Sequence, residues 1–88
     1  MIRLIRFFKH YNNVYSSMLN KIKVKLLEYG YKAEHDSFYV IFYIGEKLYL
    51  IELVKFQIRL FNNEEDYYFD DVESMFKKIT ELRDKEAV

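Results

Sequence analysis

The chain has no cysteine, no proline and only two glycines in 88 residues. Without cysteine there is no disulfide, no zinc–thiolate centre and no thiol nucleophile, which is compatible with a reducing compartment. Gly30 and Gly45 stand too far apart in the chain to cradle a phosphate. Long apolar runs are also missing. Charges interrupt the first residues, Met1-Ile2-Arg3-Leu4-Ile5-Arg6, and no small-residue cleavage site follows. This reads as neither a signal peptide nor a membrane span, so a cytoplasmic protein without integral membrane association is expected.

What remains is dense in core-forming residues, 51% hydrophobic and 19% aromatic. That argues against disorder and for one small domain, 1–88, near the size at which a single core just suffices. The Lys-, Asn-, Ile-, Tyr- and Phe-rich composition is of the kind encoded by AT-rich genomes and their phages.

The net charge is zero, but the charge is segregated. Residues 1–32 carry seven bases and one acid, and residues 33–88 carry seven bases and thirteen acids, so the two parts stand at +6 and −6. The two halves therefore attract each other, or each attracts a different partner.

Apolar residues spaced by three and four run from Met1 to Tyr29 and share one helical face. The cap-forming Asn12-Asn13 and Ser16-Ser17 pairs divide this stretch. The pattern predicts a segment over Ile2–Tyr11 and a helix from about Asn13 to Tyr29, stopped by Gly30, continuous or kinked. Phe38–Ile44 and Lys47–Val54 read as strands joined by a Gly45-Glu46 turn. That turn alone sets a register. Phe38/Leu53, Val40/Ile51 and Phe42/Tyr49 share an uncharged core face, while Tyr39/Glu52, Ile41/Leu50 and Tyr43/Leu48 share the other. Continuing the strand past Val54 would put Lys55, Gln57 and Arg59 into the core, so a bulge or turn is required there. Phe56, Ile58 and Leu60 alternate with these polar residues, and Tyr67-Tyr68-Phe69 forms a short strand. A final helix follows with the stripe Val72, Met75, Phe76, Ile79 and Leu82, capped by Asp70 with Glu73 completing a capping box. The expected fold is α+β: an N-terminal helix, a meander of three or four antiparallel strands, and a C-terminal helix.

Two charged constellations are candidate partner sites. Glu64, Glu65, Asp66, Asp70, Asp71 and Glu73 form an acidic run. It lacks the alternating ligands, central glycine and terminal glutamate of a calcium loop, so no metal is expected. A solvated turn plus a helix cap is its ordinary reading, and docking on a basic partner is its functional one. Arg3, Arg6, Lys9 and His10 form a basic patch among aromatics, fit for phosphates or an anionic surface but short for a dedicated nucleic-acid binder. His35-Asp36-Ser37 resembles a triad only in composition, because adjacent residues point in different directions and no nucleophile elbow is present. No catalytic residue and no cofactor are expected.

A helix from Met1 to Tyr29 would be about 43 Å long, whereas a seven-residue strand spans about 23 Å. Leu4, Phe8 and Tyr11 therefore overhang any sheet face, while Tyr39 and Tyr43 lie on a face with nothing assigned to cover it. These five are the expected interface of a homodimer, unless the first segment folds back over that face. The function expected from all this is a non-enzymatic, protein-binding regulator or inhibitor that occludes a macromolecular partner. The alternative is a nucleic-acid-binding accessory protein using the basic segment.

Overall fold

A computed structural model describes residues 16–86. The segment expected over Ile2–Tyr11, the basic patch Arg3, Arg6, Lys9 and His10, and the interface residues Leu4, Phe8 and Tyr11 lie outside the described residues.

The architecture is α+β. A helix over 16–28 (α1) is followed by five strands: β1 (Ala33–His35), β2 (Tyr39–Ile44), β3 (Lys47–Val54), β4 (Gln57–Phe61) and β5 (Asp66–Phe69). A second helix, α2 (Val72–Glu86), closes the chain. The strands form one antiparallel sheet in the order β1-β2-β3-β4-β5.

The α1 helix ends as its sequence predicts. Gly30, at φ +91°, takes a left-handed conformation that a β-carbon would oppose. This lets the Gly30 N–H reach the Leu27 carbonyl and the Tyr31 N–H reach the Leu26 carbonyl, a Schellman cap. Leu19, Ile22 and Leu26 are the buried positions of α1, and Met75, Phe76, Ile79 and Leu82 those of α2. Both helices belong to one core with Val40, Phe42, Ile44, Tyr49, Ile51, Ile58 and Leu60, which share a single face of the sheet. At the C-terminal end of α1, just before Gly30, Tyr29 packs edge-on against Phe76 of α2, with ring centroids 5.5 Å apart.

The β2–β3 ladder has the register that the Gly45-Glu46 turn dictates, from Ile44↔Lys47 to Tyr39↔Glu52. Gly45 sits at φ +63°, the first position of a two-residue hairpin turn. Phe38 departs from expectation. The ladder stops at Tyr39, and Phe38 lies in the preceding turn, 68% exposed. The cause is Asp36, whose Oδ1 accepts the N–H groups of both Phe38 and Tyr39 at 2.8 Å and bends the chain there. The same two donors hold the Asp36 carboxyl below its ordinary range.

Five strands are present where three or four are expected. The additional one is β1, whose Ala33-Glu34-His35 has little strand character of its own and exists because β2 offers it a pairing edge. The turn required after Val54 is Lys55-Phe56, with Val54 opposite Gln57. Lys55 adopts φ +55° without being glycine, a conformation with a strain that glycine would not carry.

The cap of α2 also lies one residue later than the sequence suggests. The Ser74 N–H donates to Asp71 Oδ1 at 2.7 Å, making Asp71 the N-cap, while Asp70 accepts from Gln57 at 3.2 Å across the β4 end. Glu73 is then the second helical residue, not the third, and the expected capping box does not form. Asp71→Ala should lower the melting temperature by a few degrees, and Asp70→Ala should leave it almost unchanged. Thermal unfolding followed by circular dichroism checks this, and the reverse order would return the cap to Asp70.

Candidate interaction surface

Both described helices pack on one face of the sheet; among the described residues the other face is built from strand residues, with Leu27 and Lys32 beside Glu34, Ile41 and Tyr43 at the β1 edge. The registers arrange it in rows. Glu34, Ile41, Leu50, Phe61 and Asp66 form one row across all five strands. Tyr39, Glu52, Arg59 and Tyr68 form the next, and Tyr43 with Leu48 lies on the other side, towards Gly45. Tyr43 is 48% exposed, Leu48 42% and Tyr68 51%. Tyr39, Ile41, Leu50 and Phe61 are partly buried.

One side chain organises the centre of this face. The Arg59 guanidinium binds both oxygens of Asp66, each at 2.9 Å, and Glu52 Oε1 at 3.1 Å. It lies 3.9 Å from the centroid of Phe61 and 5.9 Å from that of Tyr68. Fork-shaped pairing and ring stacking both suit a guanidinium better than an ammonium. The Asp66 and Glu52 carboxylates keep Arg59 protonated, and Arg59 in turn holds Asp66 below its ordinary range. Glu52 is thus engaged by Arg59, the residue opposite it on β4. The Tyr39 ring meets Phe61 edge-on at 6.2 Å. The result is a rigid surface, apolar and aromatic towards Gly45 and ion-paired towards Lys55.

The acidic run is dispersed by the fold. The Glu65 carboxylate accepts the hydroxyls of Tyr49 and Tyr67, the latter at 2.9 Å, in a partly buried setting. Asp66 serves Arg59, Asp70 serves Gln57, and Asp71 caps α2. Glu64 and Glu73 project into solvent. Asn62 shapes the turn itself, its side-chain oxygen accepting the N–H groups of Glu64 and Glu65 at 2.9 Å. Among the described residues, no three histidine or carboxylate side chains converge to hold a metal ion. His35 Nδ1 is buried without a hydrogen-bond partner among the described residues, and Asp36 is occupied by backbone donors, so these two residues do not pair as a relay.

Of the interface residues expected from the sequence, Tyr39 and Tyr43 do lie together on the open face. Arg59 and Phe61 belong to the same surface and are not legible in the sequence. Their placement depends on the Lys55-Phe56 turn, which contains none of the residues that usually mark a hairpin. No family model matches the chain, and no curated protein and no solved structure is similar to it. No helix among the described residues is long and apolar enough to cross a membrane.

Proposed function

We propose that this protein is a small, non-enzymatic, cytoplasmic regulator or inhibitor that works by covering a surface of a protein partner with its open sheet face. The observation that carries this reading is the row structure around Tyr43, Leu48, Arg59 and Tyr68, which no described helix covers, opposite a face on which both described helices pack. Tyrosine and arginine held rigid on a sheet lose little conformational freedom on binding and are the residues on which interface energies concentrate. Glu52 and Asp66 neutralise Arg59 and would repel phosphates there, which favours a protein over a nucleic acid. The nucleic-acid alternative rests on Arg3, Arg6 and Lys9, and predicts salt-dependent DNA or RNA binding that their joint neutralisation abolishes.

A photo-crosslinking residue placed at Tyr43 in the native host should give a discrete protein adduct, whereas one placed at Lys77 on α2 should give none. The double substitution Tyr43→Asp/Leu48→Asp should weaken association with the crosslinked partner by roughly thirtyfold or more. Both side chains are exposed, so the melting temperature should hold. Binding that survives the double substitution would refute this face as the site.

A further inference from the structure

The outer surface of the helix layer, on the other side of the molecule from the open sheet face, carries a feature of different chemistry. Two hollows follow one another along the crease between α1 and α2. The first, about 140 Å³, is lined by Met18, Lys21, Ile22 and Lys25 of α1 and by Val72 of α2. The second, about 360 Å³, takes in Tyr29, Phe76, Lys77, Thr80 and Arg83, with Glu73 as its one carboxylate. Lys25 links the two, its ammonium lying 4.8 Å from the centroid of the Phe76 ring. Spacings of three and four put Lys21, Lys25 and Tyr29 on one side of α1, and Lys77, Thr80 and Arg83 on one side of α2. These two rows border the crease over roughly 17 Å, the rise of about eleven helical residues.

The cations of the crease are not neutralised within the chain. Among the described residues, Lys21, Lys25 and Lys77 form no ion pair. Arg83 meets only the neighbouring Asp84, at 3.9 Å, with both side chains more than half exposed. Lys47, Arg59 and Lys78, by contrast, are all paired with carboxylates. Nor does the segment before α1 supply a counter-charge, since residues 1–27 contain no acid.

We propose that this crease binds single-stranded nucleic acid, with backbone phosphates along the two rows of cations and a base on Tyr29. A groove of cations that tracks a phosphate backbone beside an aromatic ring holds single strands without reading their sequence. Tyr29 is 57% exposed and is steadied edge-on by Phe76, so it presents a held ring to a base. With packed helix axes about 8–10 Å apart, the crease is wide enough for one strand and too narrow for a duplex. Because the open sheet face is on the opposite side, protein and nucleic acid can be held at once, and neither contact depends on the other.

Fluorescence anisotropy with labelled oligothymidylate, oligouridylate and a DNA duplex, each of about 15 nucleotides per strand, tests this. Either single strand should bind more tightly than the duplex. Roughly three or four phosphate contacts give a slope of about −2 to −3 for log affinity against log salt. Lys21→Gln/Lys77→Gln should weaken binding by about tenfold or more at low salt and flatten that slope by about 1.4. Both side chains are exposed, so the melting temperature should hold. Tyr29→Leu should lose about fivefold or more, and Tyr29→Phe should bind as the wild type does. A wild type that binds neither single strand overturns the proposal, as does a duplex bound equally well or a Tyr29→Leu chain that binds in full. Binding that survives Lys21→Gln/Lys77→Gln but is abolished by neutralising Arg3, Arg6 and Lys9 overturns it too. A photo-crosslinking residue at the exposed Thr80, used in the native host, separates the two kinds of anionic partner. A nucleic-acid adduct supports the crease as drawn, and a discrete protein adduct would overturn it by assigning the crease to an acidic protein.

Discussion

Phe42→Ala should remove about 3–5 kcal/mol of stability, the cost of emptying a fully buried phenylalanine site. Phe42 is completely inaccessible and stands on β2 with strands on both sides. Its ring is edge-on to Tyr31 at 6.0 Å and tilted against Tyr49 at 5.9 Å, so truncation leaves two aromatic neighbours without their shared contact. A domain of this length has roughly 4–13 kcal/mol in total, and the variant should therefore be largely unfolded or poised at the edge of unfolding. Urea denaturation at 25 °C measures the loss. Phe56→Ala is the control, with an expected change near zero because that ring is exposed. A loss under about 1 kcal/mol at Phe42 would contradict the core described above.

Glu65→Ala should cost about 2–3 kcal/mol, the second-largest effect expected. Its carboxylate is the acceptor for two phenols, and one of them belongs to Tyr49, a core residue. Burial and the Glu65 charge together push the Tyr49 hydroxyl up, out of the range in which it would ionise. The same hydrogen bonds, from Tyr49 first, lower Glu65 below its ordinary value of 4.5 against the opposing effect of desolvation. A carboxyl depressed in the folded state contributes stability that is present above the unfolded value and lost as pH falls through the folded one. Wild-type stability should therefore fall below about pH 4.5, and Glu65→Ala should show a shallower decline over that window. In a Tyr49→Phe/Tyr67→Phe background, Glu65→Ala should cost almost nothing, and a full-sized loss there would detach Glu65 from the phenols.

Local chemistry that stands alone in the sequence was legible, and chemistry that depends on a neighbour was not. Gly45 specifies a two-residue turn, and the turn specifies every pair from Ile44↔Lys47 to Tyr39↔Glu52. Gly30 likewise marks the end of α1, and the apolar stripe of α2 marks its buried face. Phe38 was misplaced because hydrophobicity extends the strand while the Asp36 carboxylate ends it, and a hydrogen bond to two successive N–H groups leaves no periodic trace. Asp70 and Asp71 are equally good caps by residue type; which one caps depends on Gln57, placed by the β4–β5 pairing. β1 owes its existence to the unpaired edge of β2. On the functional side, Tyr39 and Tyr43 were read onto the open face from the β2–β3 register. Arg59 and Phe61 depended on a second hairpin whose turn residues carry no signature.

Strand order in the sheet repeats strand order in the chain, and the four connections are only two to four residues long. Each hairpin therefore closes with a small loss of chain entropy, and every strand added finds its neighbour already in place. Assembly can proceed as a zipper outward from the Gly45 turn, with no early search for distant partners. Among the described residues, the docking of α1 and α2 is what joins residues far apart in the chain, since Leu26 and Ile79 belong to the same core. With no proline in the chain there is also no prolyl isomerisation to delay assembly.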